Sequence, residues 1–303
     1  MKKISSFHII AMAALGPGFS GGDRIFIELA KRWKKFFPIK IYVWQEGKEM
    51  CRRQSLQESK NLKFVLWKIN FWCKLGFYAC YLARIVKSVY ESLRLRLKNR
   101  PTTYLYSASD FWMDSIPGWI LKLRFPKVTW VATYYLGAPS PFTGFREKGG
   151  FQLPTIKGIF YWLQQQPIYW MTRIFADKVC VTSQPDAMRF PKQNKDKKVI
   201  VVRGGVNIPR NIKRVNKIFD GVFLGRLHPQ KGVLELVDIW SRVVKFRPNA
   251  KLVMIGEGPL MSEVKEKIKF SKLEGNITLT GTLLDGPEKF QIFQQSKIFM
   301  HSA

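Results

Sequence analysis

The residues best suited to chemistry lie in one basic loop, residues 223–232, which follows an apolar run and precedes a helical pattern. The loop holds two cations, Arg226 and Lys231, and is bounded by Gly225 and Gly232. Cationic side chains at this spacing can converge on one diphosphate, and the glycines let the backbone approach its oxygens. The N-terminus of the following helix adds partial positive charge. The loop therefore predicts a diphosphate site, and the alternative is a pair of solvated surface cations.

A second glycine-rich segment, GPGFSGG at residues 16–22, follows the first apolar run and opens a helical pattern. The N–H groups of Gly21 and Gly22 at the start of this helix could face a phosphate or a sugar. The segment lacks the G-x-G-x-x-G spacing, so a tight turn is the alternative interpretation. Its expected place in front of the basic loop favours binding.

Short β-rich runs alternate with amphipathic helical stretches twice along the chain, which is typical of parallel sheets built from βαβ units. The predicted strands are residues 7–13, 40–44, 62–69, 103–107, 128–133 and 178–182, then 221–224, 251–255, 277–280 and 297–301. The predicted helices are residues 22–35, 71–98, 112–123 and 155–175, then 233–246, 260–270 and 288–295. The pattern predicts an α/β fold with two facing Rossmann-like domains, residues 1–206 and 218–303, joined by a polar linker at 207–217. Two such domains would hold a ligand between them, outside the carboxyl ends of the strands.

The longest predicted helix, residues 71–98, carries apolar side chains at three- and four-residue spacing. They are Phe71, Leu75, Tyr78, Leu82, Ile85 and Val89. This stripe favours a helix whose apolar face packs on the sheet. Basic residues at the other positions, and the aromatics Trp67, Trp72 and Tyr81, leave a second interpretation open, a surface that rests on an anionic membrane.

The chain has 303 residues and a formal net charge of +30, with 34 Lys and Arg against 12 Asp and Glu in residues 1–200. Such an excess favours an anionic partner: nucleic acid, an acidic membrane leaflet or a phosphorylated substrate. We find no nucleic-acid-binding module or stacking platform, so we expect no nucleic acid partner. The uncharged run at residues 158–172 contains Gln164, Gln165, Gln166 and Pro167 and is too short to span a bilayer. The first apolar run contains His8 and is better interpreted as a buried strand than as a signal peptide.

The four cysteines, Cys51, Cys73, Cys80 and Cys180, form no C-x-x-C pair, and only three histidines could join them in a metal site. We therefore expect all four to be reduced and buried, as in a cytoplasmic protein. We expect no metal ion and no other cofactor.

The second half of the chain resembles glycosyltransferase family 4. Members share a strand–GRL–KG–helix unit, a strand and turn of the form p-a-k-L-v-i-i-G-e-G-p, matched here at residues 250–259, and an n-i-x-l-t-G strand, matched at 276–281. The resemblance is close over residues 220–303 and looser over the first half. It implies a GT-B fold and the transfer of a hexose or related sugar, with retention of configuration, from a nucleotide-sugar donor to a glycan or lipid-linked acceptor.

The resemblance also implies roles for individual residues. Arg226 and Lys231 would stabilise the leaving diphosphate without a metal. Gly256 and Gly258, and the turn that contains Thr282 and Leu283, would approach the nucleotide through backbone groups, which leaves the base unidentified. Such an enzyme would serve polysaccharide biosynthesis in the cell envelope, in the cytoplasm or peripheral on the inner face of the membrane.

Two features depart from the family pattern. Where many members have a histidine that faces the reacting sugar, this chain has Tyr134, a poor base near neutral pH. Asp110 is the second candidate, although a helix cap is the commoner use of such a residue. Members also continue beyond the strand matching residues 298–302 with a pair of glutamates and a helix that returns to the first domain. Because the sequence stops at Ala303, we expect a fragment of a longer reading frame whose second domain is incomplete. If these residues were the whole polypeptide, we would expect weak or absent transfer.

Two further hypotheses stay open. One is a non-catalytic nucleotide-sugar binder, and the other is a nucleotide-sugar epimerase of the same architecture, which needs no acceptor. Under the transferase hypothesis we expect acceptor selection in the long loop at residues 135–151, because long loops on compact domains are often functional.

Overall fold

A computed structural model describes residues 4–14, 20–69, 71–135, 137–138, 140–142, 153–190, 198–205, 215–283 and 286–300. The chain divides into two compact units, Met1–Val206 and Asn207–Ala303. Residues 15–19 of the glycine-rich turn, most of the predicted linker and most of the predicted acceptor loop lie outside the described residues.

The first unit is built on a seven-stranded parallel sheet in the order β3-β2-β1-β4-β5-β6-β7. Its strands are β1 (Ser6–Ile10), β2 (Ile39–Val43), β3 (Leu62–Leu66), β4 (Thr103–Ser107), β5 (Thr129–Thr133), β6 (Lys178–Val181) and β7 (Lys198–Val201). The chain winds outward in both directions from the neighbours β1 and β4. Ligands of such sheets bind at this switch point, outside the carboxyl ends of the strands.

Helices cover both faces of this sheet. They are α1 (Gly21–Trp33), α2 (Gln45–Arg53), α3 (Phe77–Arg94), α4 (Trp112–Arg124), α5 (Ile156–Phe175) and α6 (Gln184–Met188). Alternation along β1 sends Phe7 and Ile9 into a core shared with α1 and α2, and Ile10 into a core shared with α3 and α4. Both faces of the central strands are therefore apolar, as the buried strands of a parallel sheet require.

The segment predicted as one helix over residues 71–98 is broken. Trp72–Leu75 forms a separate 3₁₀ turn, Gly76 has φ of 103°, and α3 begins after it. The chain is extended again from Leu95. The prediction of one helix was wrong because Gly76 adopts a conformation that few other residues reach without strain.

The predicted inward face was wrong for Phe71, Leu75, Tyr78 and Leu82, which are exposed, whereas Ile85 packs against the core. Tyr78 and Leu82 are 84% and 61% exposed, whereas the residues that α3 buries are small or polar. The buried set is Cys80, Arg84, Ser88 and Ser92. The Arg84 guanidinium reaches the carbonyl oxygens of Met12 and Ala13, both at 3.3 Å, and this contact fixes the rotation of the helix.

The expectation that all four cysteines are reduced was wrong for one pair. Cys73 and Cys80 form a disulfide that ties the 3₁₀ turn to α3. Cys51 and Cys180 are free and buried. The cysteines therefore no longer favour a cytoplasmic location.

The second unit has a four-stranded parallel sheet in the order β10-β9-β8-β11. Its strands are β8 (Phe219–Leu224), β9 (Leu252–Ile255), β10 (Ile277–Gly281) and β11 (Ser296–Met300), and its helices are α7 (Val233–Phe246), α8 (Met261–Phe270) and α9 (Pro287–Gln294). Trp240 and Leu236 of α7 pack with Met254 of β9 in the core. Two parallel-sheet α/β units confirm the predicted fold class. No helix in the described part of the chain is long and apolar enough to cross a membrane.

Candidate functional site

The predicted basic loop lies at the carboxyl end of β8, next to the centre of the second sheet. Arg226 is exposed, and among the described residues it has no ion-pair partner. Lys231 ends a 3₁₀ turn, Pro229–Lys231, and is half-buried. Gly232 follows with φ of 53° as the N-cap of α7. The loop therefore holds both cations close to the N-terminus of a helix, where an anion is favoured.

The turns that follow β8 and β9 touch each other through backbone atoms. A Cβ added at Gly256, which has φ of 139°, would lie 1.9 Å from the carbonyl oxygen of Gly225. A Cβ added at Gly258 would lie 2.3 Å from the carbonyl oxygen of Leu227, whose N–H donates to Glu257 O at 3.0 Å. The glycines are thus required by the close packing of two turns beside Arg226.

A third turn, after β10, completes this edge of the sheet. Gly256 N–H donates to Gly281 O at 2.8 Å, and Gly281 has φ of 72°. The Glu257 carboxylate lies 3.5 Å from Thr282 N. Thr282 is exposed and Leu283 is half-buried. The structure therefore brings Arg226, the two glycine turns and Thr282 to one end of one sheet.

In the first unit, Gly21 and Gly22 are the first residues of α1, which is closed by a reciprocal cap. Ser20 Oγ accepts from Asp23 N at 3.2 Å, and the Asp23 carboxylate accepts from Ser20 N at 2.8 Å. Burial raises the pKa of Asp23, while its bonds to Ser20 lower it. The N–H groups of Gly21 and Gly22 have no acceptor among the described residues. The helix start keeps two donors for an anion.

The buried side chains of Asp114 and Arg84 hold the end of β1, and the sequence patterns did not predict this role for them. The Asp114 carboxylate accepts from Met12 N at 2.6 Å, Ala13 N at 3.2 Å and Ser109 Oγ at 2.6 Å. Arg84 donates to the carbonyl oxygens of the same two β1-end residues. Burial raises the pKa of Asp114 to about 7 against the opposing effect of these hydrogen bonds. A charged residue at an inward position of a helical pattern is the signal that could have found both side chains.

Asp110 and Tyr134 meet on one side chain of α5. Tyr134 OH donates to Gln165 Oε1 at 3.3 Å, and Gln165 Nε2 donates to Asp110 Oδ2 at 3.4 Å. Tyr134 is buried, and this burial, with the Asp110 charge, raises its pKa to about 12. It stays protonated near neutral pH and can act only as a hydrogen-bond donor or acceptor. Phe111 is the N-cap of α4, so the helix-cap alternative for Asp110 was wrong.

The described residues contain no group of three or more His, Cys, Asp and Glu side chains that could hold a metal ion.

Comparison with known proteins gives a family match for the second unit. Residues 219–303 match the family described as glycosyl transferases group 1. An uncharacterised glycosyltransferase of Methanocaldococcus jannaschii is 35% identical over 94 residues, which is 31% of this chain and 22% of the relative. The poly(glycerol-phosphate) alpha-glucosyltransferase of Bacillus subtilis is 33% identical over 73 residues, 24% of this chain and 11% of the relative. The matched segments thus span a small part of both relatives.

The similarity in structure extends over nearly the whole chain. S. aureus TarM, solved in complex with fondaparinux, alpha-GlcNAc-glycerol and UDP, superposes with a TM-score of 0.66 at 11% identity. The match covers 98% of this chain and 80% of TarM. The chain therefore has the GT-B fold of the glycosyltransferases, and over residues 219–303 it matches glycosyl transferases group 1.

Proposed function

We propose that this chain transfers a sugar from a nucleoside-diphosphate sugar to an acceptor. The observation that carries the proposal is Arg226, exposed at the carboxyl end of β8 beside the backbone contact between Gly225 and Gly256. The oxygens of a diphosphate can accept hydrogen bonds from a cationic side chain and from backbone N–H groups that no side chain covers. The family match over residues 219–303 supports the same assignment.

In this proposal the second unit binds the donor. When the bond between the anomeric carbon and the diphosphate oxygen breaks, negative charge builds up on the leaving nucleotide. Arg226 and Lys231 donate to the diphosphate and stabilise that charge in place of a metal ion. Gly256, Gly258, Thr282 and Leu283 approach the nucleotide, largely through backbone groups. We further propose that the new bond forms on the same face of the sugar, with retention of configuration.

The nucleotide and acceptor belong to the same proposal. The UDP bound to TarM supports a uridine nucleotide as the first donor to test. The acceptor is a glycan or a lipid-linked glycan of the cell envelope, bound by the basic first unit. Gly21 and Gly22 offer N–H donors there, and Tyr134 and Asp110 remain the candidates for contact with the reacting groups. Because its pKa is about 12, we assign Tyr134 as a hydrogen-bond donor and not as a base.

The test is a donor panel with the full chain. We expect one of the UDP, GDP or ADP sugars to bind, with no loss of binding in the presence of EDTA. Release of the nucleoside diphosphate when an acceptor glycan is added measures the transfer separately. Proton NMR of the product reports the anomeric configuration. Failure of every nucleoside diphosphate to bind a folded protein would refute the donor site, and an inverted product would refute retention alone.

A further inference from the structure

Helix α3 exposes apolar side chains where the outer face of a helix is usually polar. Tyr78, Leu82, Val86 and Tyr90 follow one another at four-residue spacing, and all are exposed. The buried set, which starts at Cys80, has the same spacing but is offset by two residues, about 200° around the helix. The helix therefore buries a stripe of polar and small side chains and turns an apolar stripe to solvent. An apolar surface of this kind on a folded chain indicates a binding partner.

The preceding 3₁₀ turn extends this surface. We define the α3 face as the exposed side chains Trp72, Leu75, Tyr78, Leu82, Val86 and Tyr90. A groove of about 550 Å³ opens within it, between the turn and the helix. Trp72, Leu82 and Val86 form apolar walls, and Lys68 and Lys87 also line the groove. The disulfide of Cys73 with Cys80 holds the turn against the helix, so the two parts form one surface.

The charges around the α3 face are almost all of one sign. Residues 66–100 contain eight Lys and Arg and one acidic residue, Glu91. Glu91 is ion-paired with Lys87 at 2.7 Å. Exposed Lys68 and Lys74 have no acidic partner in the described part of the chain. The surface thus combines exposed aromatic and aliphatic groups with a cationic border.

We propose that the α3 face docks on an anionic phospholipid bilayer. Aromatic side chains such as Trp72 and Tyr78 favour the boundary between head groups and acyl chains. Leu82 and Val86 would enter the apolar side of that boundary, while Lys68 and Lys74 reach lipid phosphates. An acidic protein would satisfy the cations, but it would have to supply an apolar surface as well. The bilayer supplies both, and this inference goes beyond the proposed sugar transfer.

The experiment is flotation of the full chain with vesicles of phosphatidylcholine alone or with about 30% phosphatidylglycerol. We expect binding to the anionic vesicles only, and release as salt rises from about 0.1 M to about 0.5 M. The double variant Leu82→Glu, Val86→Glu should lower partitioning at least about tenfold, because apolar contacts are lost and negative charge is added.

A matched control on the second unit is Phe246→Glu, Phe270→Glu, which changes two side chains that are 88% and 90% exposed. It should bind vesicles as the unmodified chain does. Circular dichroism and thermal melting of both variants establish that they fold, and unchanged affinity for UDP separates this test from the donor-site test.

Two results would overturn the proposal. The first is equal flotation of the α3-face variant and the control, or equal binding to neutral and anionic vesicles. The second is a concentration-dependent dimer that the α3-face variant disrupts, with no vesicle binding by the unmodified chain, which would assign the face to a second copy of the chain.

Discussion

The Asp114 carboxylate accepts a hydrogen bond from the backbone N–H of Met12 at 2.6 Å across 102 positions of sequence. Met12 lies just beyond β1, at the switch point of the first sheet. Asp114 belongs to the first turn of α4. The start of one helix therefore holds the end of a strand from another βαβ unit, at the edge where ligands of such sheets bind.

This arrangement makes stability depend on pH. Burial raises the folded-state pKa of Asp114 from 3.8 to about 7, so the folded state keeps a proton that the unfolded state has lost. The stabilising contribution is therefore complete below about pH 4 and is lost as pH rises through about 7. Asp114→Asn resembles the protonated group. Relative to the unmodified chain, this variant should gain about 2 kcal/mol in the free energy of unfolding between about pH 5 and pH 8.

Urea unfolding at the two pH values measures this change. Asp238→Asn, an exposed carboxylate of α7, is the control and should show no comparable gain. If the free-energy difference for Asp114→Asn is the same at both pH values, the raised pKa is wrong.

The donor site predicts a loss of nucleotide affinity. Arg226→Ala or Lys231→Ala should weaken binding of UDP by about 1–3 kcal/mol each, the loss expected for a charge-assisted hydrogen bond. Calorimetric titration of the folded variants measures it. Arg242→Ala removes an exposed arginine from the third turn of α7, away from the carboxyl ends of the strands, and serves as the control. Equal affinity of Arg226→Ala and Arg242→Ala for the nucleotide that the unmodified chain binds would contradict the assignment of Arg226.

Because the two glycine turns are in contact, we predict that even one methyl group added at Gly256 destabilises the fold. Gly256→Ala should reduce the free energy of unfolding by about 1–3 kcal/mol, because its φ is 139° and the added Cβ meets Gly225 O. Gly275→Ala is the matched control, since nothing lies within 4 Å of its added Cβ. Chemical denaturation compares the two variants, and equal stability would show that the turns are not packed as described.

The disulfide is checked by counting thiols. The unfolded, unreduced protein should react with Ellman's reagent at two cysteines, Cys51 and Cys180. After reduction all four cysteines should react. Four reactive thiols before reduction, in protein purified without reductant, would contradict the pair Cys73 and Cys80.

Local pattern was enough to predict most elements. The period of apolar residues placed β4 and α7 at their observed bounds, because burial of one face leaves a direct record in the sequence. The loop that holds Arg226 and Lys231 was placed between a strand and a helix for a similar reason, since these elements are adjacent in the chain, and the binding role of the two cations stays a prediction. The short helices α2 and α6 were not predicted, because their apolar patterns are weak.

Contacts between residues far apart in the chain leave no periodic pattern in the sequence. The rotation of α3 depends on Arg84 reaching Met12, 72 positions away, and hydrophobic periodicity alone gives the opposite face. A continuous helix would hold Cys73 and Cys80 about 10 Å apart. The break at Gly76 brings their Cα atoms to 4.1 Å. The predictions of one helix and of reduced cysteines both failed because the conformation of Gly76 brings Cys73 and Cys80 together.

Arg84 also determines whether the protein can conceal its apolar surface in water. A half-turn of α3 about its axis would bury Leu82, but it would withdraw the guanidinium from the carbonyl oxygens of Met12 and Ala13. The turned helix would carry Arg84 into water and leave these two carbonyl oxygens without its guanidinium donor, and a buried polar group left without its partner costs about 1–3 kcal/mol. The contacts of Arg84 with Met12 and Ala13 therefore oppose the rotation of α3 that would hide Leu82 from water.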